Sequence, residues 1–175
     1  MAERKVRGGA INGYLAFIKK SWGEAGRVEC VAAIGLPPDA RFEDGLFYPN
    51  KILVDVLKWI SATHGMDKVR QAGKFAIMNQ GFLSYLVRFI NMDQMLTKAE
   101  ERFHETWKFG VVGIRRESKK ATVSIKDFSD VEENCIAWVG AFEGMLEMTK
   151  TKGTVKETKC QLKGNERCVY VIEWE

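Results

Sequence analysis

FGVVGIRRESKKATVSIKDF, residues 109–128, is the stretch that decides the fold, because the hydrophobic pattern changes there from helical to strand-like spacing. Two runs rich in β-branched residues, 109–114 and 121–128, flank the charged residues 115–120. Short β-branched runs on either side of a polar turn are typical of a β-hairpin. We therefore predict that a sheet begins here and that the chain before it is helical.

The chain after this hairpin predicts one helix and two more strands. Apolar residues recur at helical spacing from about residue 130 to residue 148. Two strand-like runs follow at 154–161 and 167–174, with Gly164 and Asn165 as the turn between them. The second half is thus predicted to be a β-β-α-β-β unit with an antiparallel sheet.

The first half repeats its apolar residues every three or four positions, which is the pattern of amphipathic helices. This spacing predicts helices within residues 8–34, where a second short helix follows Gly26, and over residues 50–64, 68–90 and 93–106. The predicted fold class is α+β, with N-terminal helices followed by the β-β-α-β-β unit in a single compact domain. Within it we distinguish an N-terminal helical segment, residues 1–45, from a ligand-binding part, residues 46–175.

The composition limits the classes of function. A chain of 175 residues with 46% hydrophobic content is long enough for one domain with a core. Its 27 basic and 23 acidic residues leave a net charge of +4 that is scattered along the chain, which argues against nucleic-acid binding. The most apolar stretches contain charges and are shorter than the roughly 20 residues of a membrane span, and the N-terminus lacks a signal-peptide core. We expect a soluble, cytoplasmic protein.

Cys135, Glu157, Cys160 and Cys168 form a candidate metal site in the last third of the chain. The cytosol keeps thiols reduced, so these cysteines are not expected to form disulfides. Three thiolates and a carboxylate would complete the tetrahedral shell of a structural zinc ion and leave no open position. The alternative is that the three cysteines are buried as small hydrophobic residues.

The spacing of Glu157 and Cys160 imposes a condition on this metal site. In a regular strand, residues three positions apart point to opposite faces of the sheet. Cys160 and Cys168, by contrast, are joined by a short turn and are expected to lie close together across an antiparallel pair. A metal ion bound by Glu157, Cys160 and Cys168 together therefore requires a bulge or bend near Thr158.

Three motifs, CIAWVGAFEG (135–144), ETKC (157–160) and KGNERCVY (163–170), resemble the C-terminal signature of the vinyl reductase-like (4-vinyl reductase) domain family. The same pattern ends the N-terminal sensor domains of the activators of aromatic catabolism, in which Cys, Glu, Cys and Cys at these positions bind zinc. The resemblance is close over these segments and looser from Phe47 onward. It implies that residues 46–175 form a vinyl reductase-like ligand-binding domain with structural zinc at the four residues named above.

The resemblance also implies a pocket for a small hydrophobic or aromatic ligand between the central helices and the sheet. In the aromatic sensors a His and a Trp hold the phenolic group, and His104 and Trp107 are the neighbouring pair of those types in this chain. Ordinary core packing is the alternative for each aromatic residue. The candidate ligand-binding residues are Phe82, Tyr85, Phe89, His104, Trp107, Trp138 and Phe142.

The wider superfamily also resembles haem nitric-oxide-binding sensors, which need a proximal His and a Tyr-x-Ser-x-Arg clamp. Residues 84–88 do not provide this clamp, and His64 and His104 have the sequence surroundings of surface residues. The sequence therefore argues against haem. It also lacks the G-x-G-x-x-G fingerprint of nicotinamide cofactors and an evident nucleophile dyad, so vinyl reductase activity is implied by the family name alone. We expect no enzymatic activity.

We expect a regulatory sensor domain that binds a small molecule and signals through a separate output protein. Resemblance to families that dimerise, together with the amphipathic face around Tyr14, Ile18 and Trp22, predicts a homodimer. The alternative is a dimeric scaffold, because the fold also resembles the small subunits of vesicle-tethering (TRAPP) particles. A tightly packed core with no cavity would favour the scaffold, whereas a closed apolar cavity near Trp107 and Trp138 would favour the sensor.

Small residues mark one face of the helix predicted after the hairpin. Gly140, Ala141 and Gly144 lie on that face at spacings of three and four. Each Gly costs about 1 kcal/mol of helix propensity, so its use here indicates that another backbone approaches closely. We predict a close contact between this helix and the sheet.

Overall fold

The computed structural model describes residues 3–79 and 91–175. Its strands are β1 Lys5–Arg7, β2 Phe47–Pro49, β3 Val111–Glu117, β4 Lys120–Lys126, β5 Gly153–Lys159 and β6 Cys168–Trp174. Its helices are α1 Gly8–Ala33, α2 Asn50–His64, α3 Met66–Met78, α4 Met92–Thr106 and α5 Glu132–Met148. The predicted α+β class is confirmed, since β3, β4, α5, β5 and β6 form the β-β-α-β-β unit after the helices.

Helices α1, α2 and α3 share the first of two hydrophobic clusters. Ile11 and Ile18 of α1 and Leu57 and Ile60 of α2 are almost completely buried in it. Burial of each such side chain contributes about 1.5–3 kcal/mol. Helix α1 is interrupted at Gly23, whose φ of 76° is a conformation that favours glycine. The N-terminal helical segment is therefore part of the same core as α2 and α3.

The face of α1 that we predicted to contact a second chain is used within the domain. Ile18 is fully buried, and Tyr14 packs against the same cluster. Trp22 stacks on His64 with 3.6 Å between ring centroids and meets Trp59 edge-on. The surface on which the homodimer prediction was based is therefore packed within the domain.

The second hydrophobic cluster covers one face of a four-stranded antiparallel sheet with strand order β3-β4-β6-β5. Helices α4 and α5 pack on this face. Alternate residues of the two central strands point into the cluster and are buried, as the period of two in a half-buried strand requires. These residues are Ala121, Val123, Ile125, Cys168, Tyr170 and Ile172.

A second, two-stranded sheet, β1 with β2, was not predicted. Val6 at its centre is fully buried, pairs with Tyr48 and also forms an isolated antiparallel bridge with Trp107. The Lys108 N–H donates a hydrogen bond to the Lys5 carbonyl oxygen at 2.9 Å. Strands of three residues are too short to show a period in the sequence. The β1 strand nevertheless holds the chain where it leaves α4.

The small-residue face of α5 packs against α3, not against the sheet as predicted. A Cβ atom added at Gly140 would lie 2.8 Å from the carbonyl carbon of Arg70 and would overlap its oxygen. A Cβ atom at Gly73 of α3 would likewise lie 2.8 Å from the carbonyl carbon of Ala137. Arg70 and Glu143 form an ion pair beside this contact. The two helices therefore approach to backbone contact at their glycines.

Two further predictions concern the helices. The helix predicted over residues 68–90 ends at Met78, and the remainder of its predicted span lies outside the described residues. Within the described ranges, no helix combines the length and the hydrophobicity that crossing a membrane requires.

Candidate functional site

The four predicted metal ligands lie together beside the first turn of α5. Their ligand atoms, three sulfurs and one carboxylate oxygen, are all within 4.8 Å of one another. The Cys135 Sγ atom lies 3.6 Å from Cys160 Sγ and 3.8 Å from Cys168 Sγ. A tetrahedral zinc ion with Zn–S bonds of about 2.3 Å requires about 3.8 Å between its sulfur ligands. The sulfur spacing therefore matches a metal shell.

An irregularity in β5 brings Glu157 to the same side as Cys160. The pairing of β5 with β6 shifts its register between Glu157 and Lys159. This shift confirms the bulge or bend predicted near Thr158, and it is the local feature that lets the carboxylate join the three sulfurs.

Hydrogen bonds to one carbonyl group hold the turn between Cys160 and Cys168. The Cys160 carbonyl oxygen accepts bonds from the backbone N–H of Lys163 at 3.1 Å and from the Asn165 side-chain Nδ2 at 3.0 Å. The backbone N–H of Gln161 donates to Cys168 Sγ at 3.3 Å. These hydrogen bonds fix the positions of Cys160 and Cys168 relative to each other.

Burial affects two of the three thiols in this cluster and one carboxylate oxygen. Burial raises the pKa of the Cys135 and Cys160 thiols above the ordinary value. The Glu157 Oε1 atom is also buried, and it has no hydrogen-bond partner among the described residues. Leaving a buried carboxylate oxygen without a partner is costly, and a cation held by the neighbouring sulfurs would remove that cost. The donor set fits a metal better than it fits a role in packing alone.

A partly open cavity of about 80 Å³ lies between the two hydrophobic clusters. Its walls come from α1, α2, α3, α4 and α5 and from the chain segments that flank the β3–β4 hairpin. Most of the lining is apolar. Pockets for drug-sized ligands run to ~300–1,000 Å³, so this cavity suits a small molecule.

Three of the predicted ligand-binding residues line this cavity. The ring centroids of Trp107 and Trp138 are 5.2 Å apart, and those of Trp138 and Phe142 are 5.5 Å apart. His104 is exposed on α4 and does not line the cavity, so the predicted pair of His104 with Trp107 does not meet around it. The other predicted residues, which lie outside the described parts of the chain, are Phe82, Tyr85 and Phe89.

The polar groups in the cavity wall were not predicted. Asn134 is 5% exposed, and its Nδ2 atom has no hydrogen-bond partner within the described ranges. The buried Nε1 atom of Trp107 also lacks a hydrogen-bond partner within those ranges. Arg102 and Thr106 of α4 also contribute to the wall. Asn134 lies four residues before Trp138 on one helix face, so helical spacing could have identified it as an inward-facing polar residue.

Comparison with known proteins identifies the fold. No protein-family model matches the chain, and no curated protein sequence matches it. Among solved structures, the chain is similar to a variant of an H-NOX protein from S. oneidensis in the Fe(II) ligation state, with a TM-score of 0.74 and 14% identity over 97% of this chain and 96% of that one. It is also similar to an oxygen-binding H-NOX domain related to soluble guanylate cyclases, with a TM-score of 0.76 and 15% identity over 97% and 95% of the two chains. A point mutant of T. tengcongensis H-NOX gives a TM-score of 0.70 and 13% identity over 97% of each chain. The chain therefore has the H-NOX fold.

This finding contradicts the cofactor prediction, which named zinc alone and argued against haem; it leaves the cysteine cluster itself untested. One similar structure probes haem distortion in the H-NOX family, and another concerns modulation of the haem redox potential through protein-induced porphyrin distortion. The prediction set haem aside because residues 84–88 lack the Tyr-x-Ser-x-Arg clamp and because both histidines have the sequence surroundings of surface residues. That reasoning was wrong, because a missing short motif does not separate this chain from a fold that carries haem in other proteins. Haem belongs among the candidate ligands.

The positions of the chain's two histidines test whether the described residues fit a haem held by an imidazole. His104 is exposed, and His64 is stacked on Trp22 at the first cluster, so neither side chain lines the cavity. Of the other residue types that ligate haem iron, Tyr14 and Met145 do line it, but burial raises the pKa of Tyr14 and so disfavours the phenolate. The described residues do not fit a histidine-ligated haem in this cavity.

Proposed function

We propose that this chain is a sensor domain that binds a small hydrophobic or aromatic molecule in the cavity beside Trp107, Trp138 and Phe142. The observation that carries the proposal is the cavity itself, because a scaffold without a ligand was expected to have a tightly packed core. Its apolar walls and few polar groups are the usual composition of a small-molecule site. The domain would act by binding and not by catalysis, in the cytoplasm, and would signal through a separate output protein.

Calorimetry against phenols, indoles and short fatty acids tests this proposal. We expect at least one compound to bind with a dissociation constant below the millimolar range and with a negative heat-capacity change, because binding removes apolar surface from water. Trp138→Ala should weaken that binding, since it removes one wall of the cavity. Binding by no compound would contradict the proposal, as would a Trp138→Ala protein that is less stable but has unchanged affinity.

Haem is the second candidate ligand, and the similarity to H-NOX structures favours it. Titration of the purified chain with haemin, followed by absorbance, separates the two candidates. Stoichiometric binding that competes with the compounds above would assign the cavity to haem. Haemin that remains in its free form would leave the small apolar ligand as the proposed one.

We further propose that Cys135, Glu157, Cys160 and Cys168 bind one structural metal ion, for which zinc is the best match. Support comes from the spacing of the sulfurs and from the unpartnered Glu157 oxygen. Three thiolates with one carboxylate form a closed tetrahedral shell, which is typical of structural zinc sites. The same residues carry the resemblance to the vinyl reductase-like family, so membership of that family is part of this proposal.

The homodimer is retained as a proposal from family resemblance, although the predicted face of α1 lies within the domain. We expect light scattering at tens of micromolar protein to give twice the mass of one chain. Trp22→Ala separates the two roles of that face, because it should lower stability through loss of the stacking on His64 and leave the dimer intact. A monomer mass for the wild-type chain at that concentration would contradict the dimer.

A further inference from the structure

Two hydrogen-bond donors in the cavity wall have nothing to bind in the described structure. Asn134 lies in the first turns of α5 and is 5% exposed, and its Nδ2 atom has no hydrogen-bond partner among residues 3–79 and 91–175. The indole Nε1 atom of Trp107 is also buried without a hydrogen-bond partner in the part of the chain that the structure describes. Both residues line the same cavity. Buried polar groups in proteins are nearly always hydrogen-bonded, so two orphan donors in one cavity need an explanation.

The rest of the described lining shows what kind of group is missing. Arg102 contributes a positive charge, which is paired with Glu105 at 3.0 Å on the helix surface. No carboxylate belongs to the part of the lining that the structure describes. The two lining atoms that are buried without a partner among the described residues are both N–H donors, and an oxygen acceptor is the group that would satisfy them.

We infer that the ligand of this cavity is a small apolar molecule that carries a hydrogen-bond acceptor oxygen, recognised by the Asn134 amide and the Trp107 indole N–H. This inference rests on the proposed function, since it names the ligand class of the same site. Leaving a buried donor unpaired costs more free energy than a typical hydrogen bond contributes. Such a site therefore binds ligands without an acceptor oxygen much more weakly than ligands that carry one. The volume of about 80 Å³ limits the apolar frame to a small ring or short chain.

Cyclopentanone and methylenecyclopentane test the inference, because they share a shape and differ only in an oxygen atom replaced by a CH₂ group. The measured quantity is the ratio of their dissociation constants in the wild-type chain and in variants. Comparing ratios cancels the cost of removing each ligand from water. We expect Asn134→Leu, which keeps the side-chain size, to lower the preference for the ketone about tenfold.

Trp107→Phe removes the second donor and keeps an aromatic ring, and it should lower the ketone preference in the same direction. The matched control is Trp138→Phe, which makes the same chemical change in the wall of the same cavity. The indole nitrogen of Trp138 is not among the buried unpartnered atoms of the described residues. This control should leave the ratio unchanged. If Asn134→Leu does not fold, the Trp107→Phe and Trp138→Phe pair still decides the question.

The outcomes distinguish this inference from the function on which it rests. If neither compound binds the wild-type chain, the cavity does not bind small molecules of this size and the proposed function fails with the inference. If both bind and the ratio is the same in all variants, the cavity binds apolar molecules but the two donors do not select them. A water molecule that satisfies both donors and stays in place would give this second result and would overturn the inference.

Discussion

Replacement of Cys160 by serine is expected to release one metal ion from the chain and to cause a large loss of stability. Binding of structural zinc contributes about 10–16 kcal/mol to the folding free energy of small zinc-binding peptides. In a domain with its own hydrophobic core we expect a fraction of that contribution, at least ~3 kcal/mol. A loss of this size lowers the melting temperature by roughly 10 °C in a domain of this length. Elemental analysis and thermal unfolding measure the two effects.

The control is Cys30→Ser, which makes the same chemical change at a buried cysteine outside the cluster. It should keep the metal and cost much less stability. A chelator should lower the melting temperature of the wild type and of Cys30→Ser toward that of Cys160→Ser. Wild-type protein purified without chelator that contains only trace metal would contradict the site, as would equal destabilisation by the two substitutions.

Gly140→Ala is expected to destabilise the fold by about 1–3 kcal/mol, although alanine is the better helix former. The added methyl group would overlap the Arg70 carbonyl of α3, which is backbone and cannot rotate away. Gly140→Leu should prevent folding. Chemical denaturation with circular dichroism measures both effects.

Gly9→Ala is the matched control for this substitution. Gly9 also lies within a helix, but its added methyl group would meet Asp44 at ordinary contact distances of 3.5 Å or more. It should be neutral or stabilise the fold by up to about 1 kcal/mol. Equal effects at Gly9 and Gly140 would show that α3 and α5 can separate freely, contrary to the backbone contact described above.

The fold class could be predicted because both halves of the chain carry long, regular patterns. Val123 and Ile125 alternate with polar residues on β4, and Ile11 and Ile18 recur at helical spacing on α1. The strand β1 could not be predicted, because its partners Tyr48 and Trp107 are remote in sequence and three residues show no period. The prediction that the Gly140 face packs against the sheet was wrong for a related reason. A small residue indicates that another backbone approaches closely, but it does not identify the helix or strand to which that backbone belongs.

The candidate site was predictable to different degrees in its two parts. The cysteine cluster could be assembled from spacing, and even the bulge beside Glu157 followed from the geometry of a strand. The cavity is formed by contacts among five helices, which the sequence does not reveal. Candidate aromatic residues could be named, but the sequence could not show that Trp138 lines the cavity and that His104 does not. Asn134 was overlooked because a single polar residue on an apolar face is a weak signal until its surroundings are known.

The bridge from Val6 in β1 to Trp107 has a consequence for how the domain is made. During synthesis β1 emerges long before Trp107, so this contact cannot form until more than half of the chain has followed. Contacts between such distant segments carry a high entropic cost of loop closure and tend to form late in folding. The wall of the cavity at Trp107 is therefore expected to be completed only after the helices have assembled, and a chain arrested before that point would expose its indole ring to chaperones and proteases.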